Sequence, residues 1–239
     1  MNGRRTLRVG ITMGDPAGIG PEVIRAAVRA LLPRAPHVQW ALYGVEEAFG
    51  DLPGEVHRAT GARPERDAIE HAAADLRDAH LDAVVTGPVS KACFGGDFPG
   101  HTELFRDRLG VERVAMMMAG SRLRVVPVTG HLPLRDVAGH LTEDAIVGAG
   151  ALAWDALTRH LGLASPRMAL AGLNPHAGDD GLFGDEEARV LAPAIQRLRA
   201  SGANISGPLS PDTVFYQATT GAFDLVLACY HDQGLIPFK

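Results

Sequence analysis

The chain has 239 residues, 46% hydrophobic and 21% charged, with a net charge of −5. That is enough chain for one large domain or two modest ones, and the balance is that of an ordinary globular protein. The acidic balance argues against a nucleic-acid binder, which would show a basic stripe. No run of 18 apolar residues is present to cross a membrane, and no apolar signal core precedes the first strand, after the basic start with Arg4 and Arg5. Cys93 and Cys229 are the only cysteines and imply neither a disulfide framework nor a thiolate zinc site, so a reduced cytoplasmic setting is expected.

Residues 7–13 alternate as a strand and run into GDPAGIGPEV, after which PEVIRAAVRALL has helical apolar spacing with Pro21 in its first turn. Gly14, Gly18 and Gly20 do not spell G-x-G-x-x-G, and no G-K-[ST] follows. The loop therefore reads first as a tight turn packing helix against sheet, with phosphate binding as the alternative. Residues 37–43 read as a strand, 49–64 as a loop rich in Gly, Pro and charge, and 66–79 as a surface helix. The apolar run 81–85 reads as a buried strand that exits into TGPVSK, with Ser90 and Lys91 past the turn. A glycine-broken loop at 92–99 leads to GHTELFRDRL. There His101 and Thr102 open a helix, as an anion or hydroxyl site or as a plain cap.

Residues 114–119 and 123–129 read as two further strands. LTEDAIVGAGALAWDALTRHLG is the longest amphipathic helix, with Thr142 as N-cap and Gly162 as stop. A strand at 168–173, a helix at 186–200 and a turn-like ISGPLSPDTVFYQA follow, the last placing Asp212 and Thr213 at the start of a short helical stretch. FDLVLACY reads as the last buried strand, and Gly234 is expected to turn the backbone before Lys239. The alternation predicts an α/β fold with mostly parallel sheets. If the chain forms two subdomains, residues 1–110 plus 215–239 make the first and 111–214 the second.

Three histidines stand apart from the other seven. His131 follows LRVVPVT, His176 follows MALAGL and His231 follows FDLVLACY, each just past a strand and beside a Gly or Pro turn. Open α/β sheets place ligands at such strand exits. Three neutral imidazoles with a fourth position open form a catalytic zinc arrangement, and imidazole also suits cobalt, nickel or iron. A metal there lowers the pKa of a substrate hydroxyl or of water, so alcohol oxidation and metal-assisted hydrolysis both remain open. Asp212, Asp232 and Lys91 are the candidate proton acceptors. Lys239, with His101 and Thr102, suits an anionic group on a substrate.

GITMGDPAGIGPEV, TGPVSK, FPGHTE, TGHLPLRDV, GLNPHAGDDGLFGDEE, GPLSPDTVF and YHDQGLIPFK, in this order, resemble the 4-hydroxythreonine-4-phosphate dehydrogenase family. The likeness runs from about Gly10 to the end, and NPHAG, PDT and YHDQG together are highly specific. The resemblance implies an isocitrate/isopropylmalate dehydrogenase-like fold with two subdomains around a cleft. It implies NAD- or NADP-dependent oxidation of 4-phosphooxy-L-threonine to a 3-oxo acid that loses carbon dioxide to give 3-amino-2-oxopropyl phosphate, in vitamin B6 biosynthesis. His131, His176 and His231 match that family's ligands for a divalent metal (zinc, magnesium or cobalt). His101, Thr102 and Lys239 match its substrate positions, and Asp212 and Asp232 match acidic residues near the metal. The family is homodimeric through its second subdomain, with active sites shared between subunits. A related branch acts on phosphorylated sugar acids such as 4-phospho-threonate, which is the alternative substrate class. This sequence is shorter than the family between Tyr43 and Leu81 and in the loop 91–98. It also stops at Lys239, where family members continue with a segment that contributes to the substrate and NAD sites. A truncated, non-catalytic relative that binds metal and a phosphorylated ligand is therefore a further expectation.

Overall fold

A computed structural model describes residues 6–239, so the basic start with Arg4 and Arg5 lies outside the described residues. The chain divides into two compact units, Met1–Glu112 and Arg113–Lys239. In the first, four strands form a wholly parallel sheet in the order β3-β2-β1-β4, from β1 (Leu7–Thr12), β2 (Val38–Gly44), β3 (Glu55–Arg58) and β4 (Ala83–Thr86). Helix α1 (Gly20–Leu31) buries Ile24 and Val28, one turn apart, against Ile11, Met13, Leu42 and Phe49. Helix α2 (Pro64–Arg77) covers the other face, with Ala68 and Ala72 on Ala41, Tyr43 and Leu81. Its Ile69 and Ala73 pack on Leu104 of α3 (His101–Leu109), and Arg108 of α3 grips Glu70 with two hydrogen bonds of 2.6 and 2.9 Å.

The stretch 49–64, expected as loop, contains β3. This edge strand is EVHR, mostly polar, and polar edge strands carry no apolar signature. Two glycines of the first loop, Gly14 and Gly20, serve internal packing. A Cβ on Gly20 would lie 2.5 Å from the Met13 carbonyl oxygen, and one on Gly14 (φ +77°) would lie 2.6 Å from that of Pro88.

The second unit holds a five-stranded sheet in the order β5-β6-β9-β7-β8. Its strands are β5 (Met118–Ala119), β6 (Arg124–Pro127), β7 (Met168–Ala171), β8 (Ile205–Leu209) and β9 (Leu225–Ala228). Only β5 runs antiparallel. Side chains alternate by size along the central strands. Met168, Leu170, Leu225 and Leu227 face the large side chains of α5 (Glu143–Asp155), α6 (Ala192–Ala200) and the π-helical turns Ala156–His160 and Glu187–Leu191. Ala169, Ala171, Val226 and Ala228 face α7 (Pro211–Thr219) and α8 (His231–Phe238), whose Phe215 and Phe238 supply the bulk. A short helix α4 (Val137–His140) precedes α5. Thr142 caps α5 as expected, accepting the Ala145 N–H.

Three expectations change here. Residues 215–239 belong to the second unit, because β9 hydrogen-bonds between β6 and β7 at the centre of its sheet. The turn-like ISGPL is the strand β8, disguised by Gly207 and Pro208, residues that strands carry at sheet edges. Gly234 does not end the chain in a turn. It is buried inside α8, where a Cβ would sit 2.5 Å from Val125 Cγ1, so its role is close packing of α8 on β6.

Candidate active site

In the second unit, β6, β9, β7 and β8 are neighbours and parallel, so their C-terminal ends lie along one edge. Each exit carries a polar candidate: His131 after β6, His231 and Asp232 after β9, His176 after β7, and Asp212 after β8. This is the position at which open α/β sheets hold ligands. The β6 and β9 exits stay together beyond the strands, since Val128 N–H donates to the Ala228 carbonyl and Thr129 donates from both N–H and Oγ1 to the Cys229 carbonyl.

Side chains at this edge form two groups. His131 and His231 meet, with ring centroids 4.8 Å apart. They line a cavity of about 630 Å³ together with Asp232, Tyr230, Leu132 and Ile236. His176 lies instead beside Asp212, Nδ1 4.0 Å from Oδ2. The Asp212 carboxylate is itself held by Ser210 Oγ, which donates to Oδ1 at 2.7 Å. His231 Nδ1 stands 2.7 Å from Asp232 Oδ1. A carboxylate at Nδ1 favours the tautomer with the proton there and leaves the Nε2 lone pair free, the pattern of metal-binding imidazoles.

As placed, no three His, Cys, Asp or Glu side chains among the described residues form a ready metal cage. The donor chemistry nevertheless fits a metal. Three imidazoles stand on three adjacent strand exits, two of them with a carboxylate beside Nδ1. All three remain reachable, with side-chain exposure of 64% at His176 and 26% at His231, while His131 is exposed.

Two side chains without an assigned role tie this edge together. Gln233, in the first turn of α8, accepts the Cys229 N–H at 2.6 Å and donates to the Gly172 carbonyl at 2.7 Å, which links the exits of β9 and β7. Glu187, 6% exposed, accepts the N–H groups of Leu173 and Asn174 at 2.9 and 2.8 Å. Both lie within recognisable motifs, but only their hydrogen bonds across the fold disclose the role. Between Asn174 and Leu182 the chain is wound left-handed: His176, Ala177, Gly178, Asp179 and Asp180 all have φ between 45° and 88°. That conformation costs roughly 1–2 kcal/mol for each non-glycine residue, so surrounding contacts must hold it.

The remaining candidates are placed as follows. Lys239 ends α8 and is exposed. In the first unit, Lys91 is exposed at the start of a short 3₁₀ turn that Ser90 caps. His101 opens α3, with Gly100 as the N-cap, so Thr102 is exposed and free of capping duty. His101 packs edge-on against Phe94, its Nε2 is buried without a hydrogen-bond partner among the described residues, and burial holds its pKa below the usual imidazole range.

A protein-family profile described as "Pyridoxal phosphate biosynthetic protein PdxA" matches residues 28–239. The chain is 38% identical to a 4-hydroxythreonine-4-phosphate dehydrogenase of Desulforapulum autotrophicum, over 97% of this chain and 80% of that protein. It is 36% identical to a D-threonate 4-phosphate dehydrogenase of Salmonella typhimurium, over 98% of this chain and 84% of that one. Among solved structures, the 4-hydroxythreonine-4-phosphate dehydrogenase of Klebsiella pneumoniae superposes with a TM-score of 0.84 at 32% identity, covering 97% of this chain and 84% of that one.

Proposed function

Because the chain belongs to the PdxA family of pyridoxal phosphate biosynthetic proteins, we propose that it is an NAD-dependent, divalent-metal-dependent dehydrogenase of 4-phosphooxy-L-threonine. The observation that carries this reading is the row of His131, His231 and His176 on adjacent parallel strand exits, beside Asp232 and Asp212. A divalent metal held by the three imidazoles would supply Lewis acidity toward the substrate hydroxyl. Asp232 or Asp212 would take the hydroxyl proton, with Lys91 as the third candidate, and a bound nicotinamide would accept the hydride from the carbon that bears the hydroxyl. The 3-oxo acid then loses carbon dioxide to give 3-amino-2-oxopropyl phosphate. Substrate binding is assigned to His101, Thr102 and Lys239. At His101 a neutral ring would donate a single N–H, since burial disfavours its charged form.

No residues are assigned to the dinucleotide; in the first glycine-rich loop, Gly14 and Gly20 are taken up by internal packing. NADP is the alternative carrier. The active form is proposed to be a cytoplasmic homodimer with shared active sites. No helix among the described residues is long and apolar enough to cross a membrane.

The second substrate reading, a phosphorylated sugar acid, draws on D-threonate 4-phosphate dehydrogenases that are 36% and 38% identical to this chain, close to the 38% of a 4-hydroxythreonine-4-phosphate dehydrogenase. The test is NADH formation by the purified chain with a divalent metal and each substrate in turn, beside a chelator-treated control. Faster turnover of 4-phosphooxy-L-threonine supports the first reading, and faster turnover of D-threonate 4-phosphate selects the second. Bound metal without NADH from either substrate selects a non-catalytic, ligand-binding relative.

A further inference from the structure

We propose that Glu187 is a positioning residue for His176, acting through the backbone of the β7 exit. The inference rests on the assignment of His176 as a metal ligand. Glu187 begins the π-helical turn Glu187–Leu191, and its carboxylate is buried. No ion pair to it is found among the described residues, and it accepts from N–H donors of the segment that leads into His176. Oε1 receives the N–H groups of Leu173 and Asn174, and Oε2 receives Asn174 Nδ2 at 2.9 Å, a side chain that also donates to Glu186. A buried carboxylate is costly unless its acceptor sites are filled, and here one loop fills them.

The left-handed run 176–180 folds over this carboxylate. A Cβ on Gly178 would come within 2.9 Å of Glu187 Oε2, and one on Gly172 would meet Ala177 Cα at 2.9 Å and Glu187 Oε1 at 3.3 Å. Those two glycines leave room for the charge and the loop to pack directly together. The loop adopts a conformation that its own residues disfavour, and Glu187 anchors its incoming end two residues before His176. An apolar residue at 187 would fill the space without holding the two amides, and the direction of the His176 side chain would then be unconstrained.

The test uses the whole chain and two conservative variants. Glu187→Asp keeps the charge but is one methylene too short to span both amides. Glu187→Gln keeps Oε1 as an acceptor for both. Cobalt(II) titration is expected to show affinity reduced about 10- to 100-fold in Glu187→Asp, as for other groups that orient metal ligands, and largely restored in Glu187→Gln. In the metal-free chain, the His176 ring resonance is expected to move in Glu187→Asp while that of His131 does not. A lower melting temperature with unchanged cobalt affinity and an unmoved His176 signal would show a merely structural carboxylate and overturn the proposal. His131→Ala runs in parallel. Normal cobalt binding in that variant refutes the metal assignment, and the His176 resonance then decides the positioning role alone. Lost binding in His131→Ala with wild-type binding in Glu187→Asp refutes only the role of Glu187.

Discussion

The two sheets share one architecture, parallel strands covered by helices on both faces, yet their strand exits are built from opposite materials. In the first unit the exits of β1 and β4 close on each other through backbone. A Cβ on Gly87 would lie 2.6 Å from the Gly14 nitrogen, and one on Gly14 would lie 2.6 Å from the Pro88 carbonyl oxygen. In the second unit the corresponding edge presents His131, His231, Asp232, His176 and Asp212; backbone joins the exits of β6 and β9, and side chains add to it, Gln233 linking the exits of β9 and β7 and Glu187 holding the segment after β7. Topology supplies a crevice at the carboxyl ends of parallel strands. Whether that crevice becomes a chemical site depends on whether side chains able to bind or react stand just beyond the strands.

The largest effect that would break this contrast is at the histidines. His176→Ala is expected to abolish stoichiometric metal binding, read by metal analysis after dialysis. A full equivalent of metal at unchanged affinity would mean that the row of imidazoles is not the centre. The closed exits of the first sheet are tested by Gly87→Ala, which forces a methyl group against the Gly14 nitrogen and the Thr12 carbonyl oxygen. Overpacking of this kind destabilises by about 1–3 kcal/mol, measurable by urea denaturation, and a neutral result would show that the exits have room to move apart.

Lys239→Ala sharpens the picture on the second unit. It is expected to weaken a phosphorylated ligand by roughly 10- to 100-fold, the worth of one hydrogen bond to a charged group, and to leave the dephosphorylated form nearly unaffected. Equal losses for both would remove Lys239 from phosphate recognition. The smallest effect concerns His101, whose folded pKa is depressed by burial against Phe94. A depressed imidazole favours folding above its unfolded pKa of about 6.5, and that contribution is lost as pH falls toward the folded value. The midpoint of denaturation should therefore drop between pH 6.5 and 5 in the wild type and drop less in His101→Leu. Parallel pH profiles would show that the ring is solvated.

Much of the fold was legible because its period and punctuation are strong. Pro21 and the apolar spacing marked α1, Thr142 marked the start of α5, and the runs around Val126, Leu170 and Leu227 marked buried strands. β3 and β8 were hidden, the one by charge and the other by Gly207 and Pro208, since edge strands need no apolar pattern on either side. The candidate residues after the strands were visible by position alone, but the pairing of His131 with His231 and of His176 with Asp212 was not.

The amino-acid sequence by itself determined the α/β class, the family and the identity of every polar residue at the strand exits, because these follow from local pattern and ordered motifs. Strand order was decided only in three dimensions. A parallel strand's neighbours are set by long-range hydrogen bonding, and β9, late in the chain, enters between β6 and β7. That one insertion brings the exits carrying His131, His231 and His176 side by side. It also gives Gln233 and Glu187, unremarkable within their motifs, backbone partners 61 residues away in one case and 14 in the other.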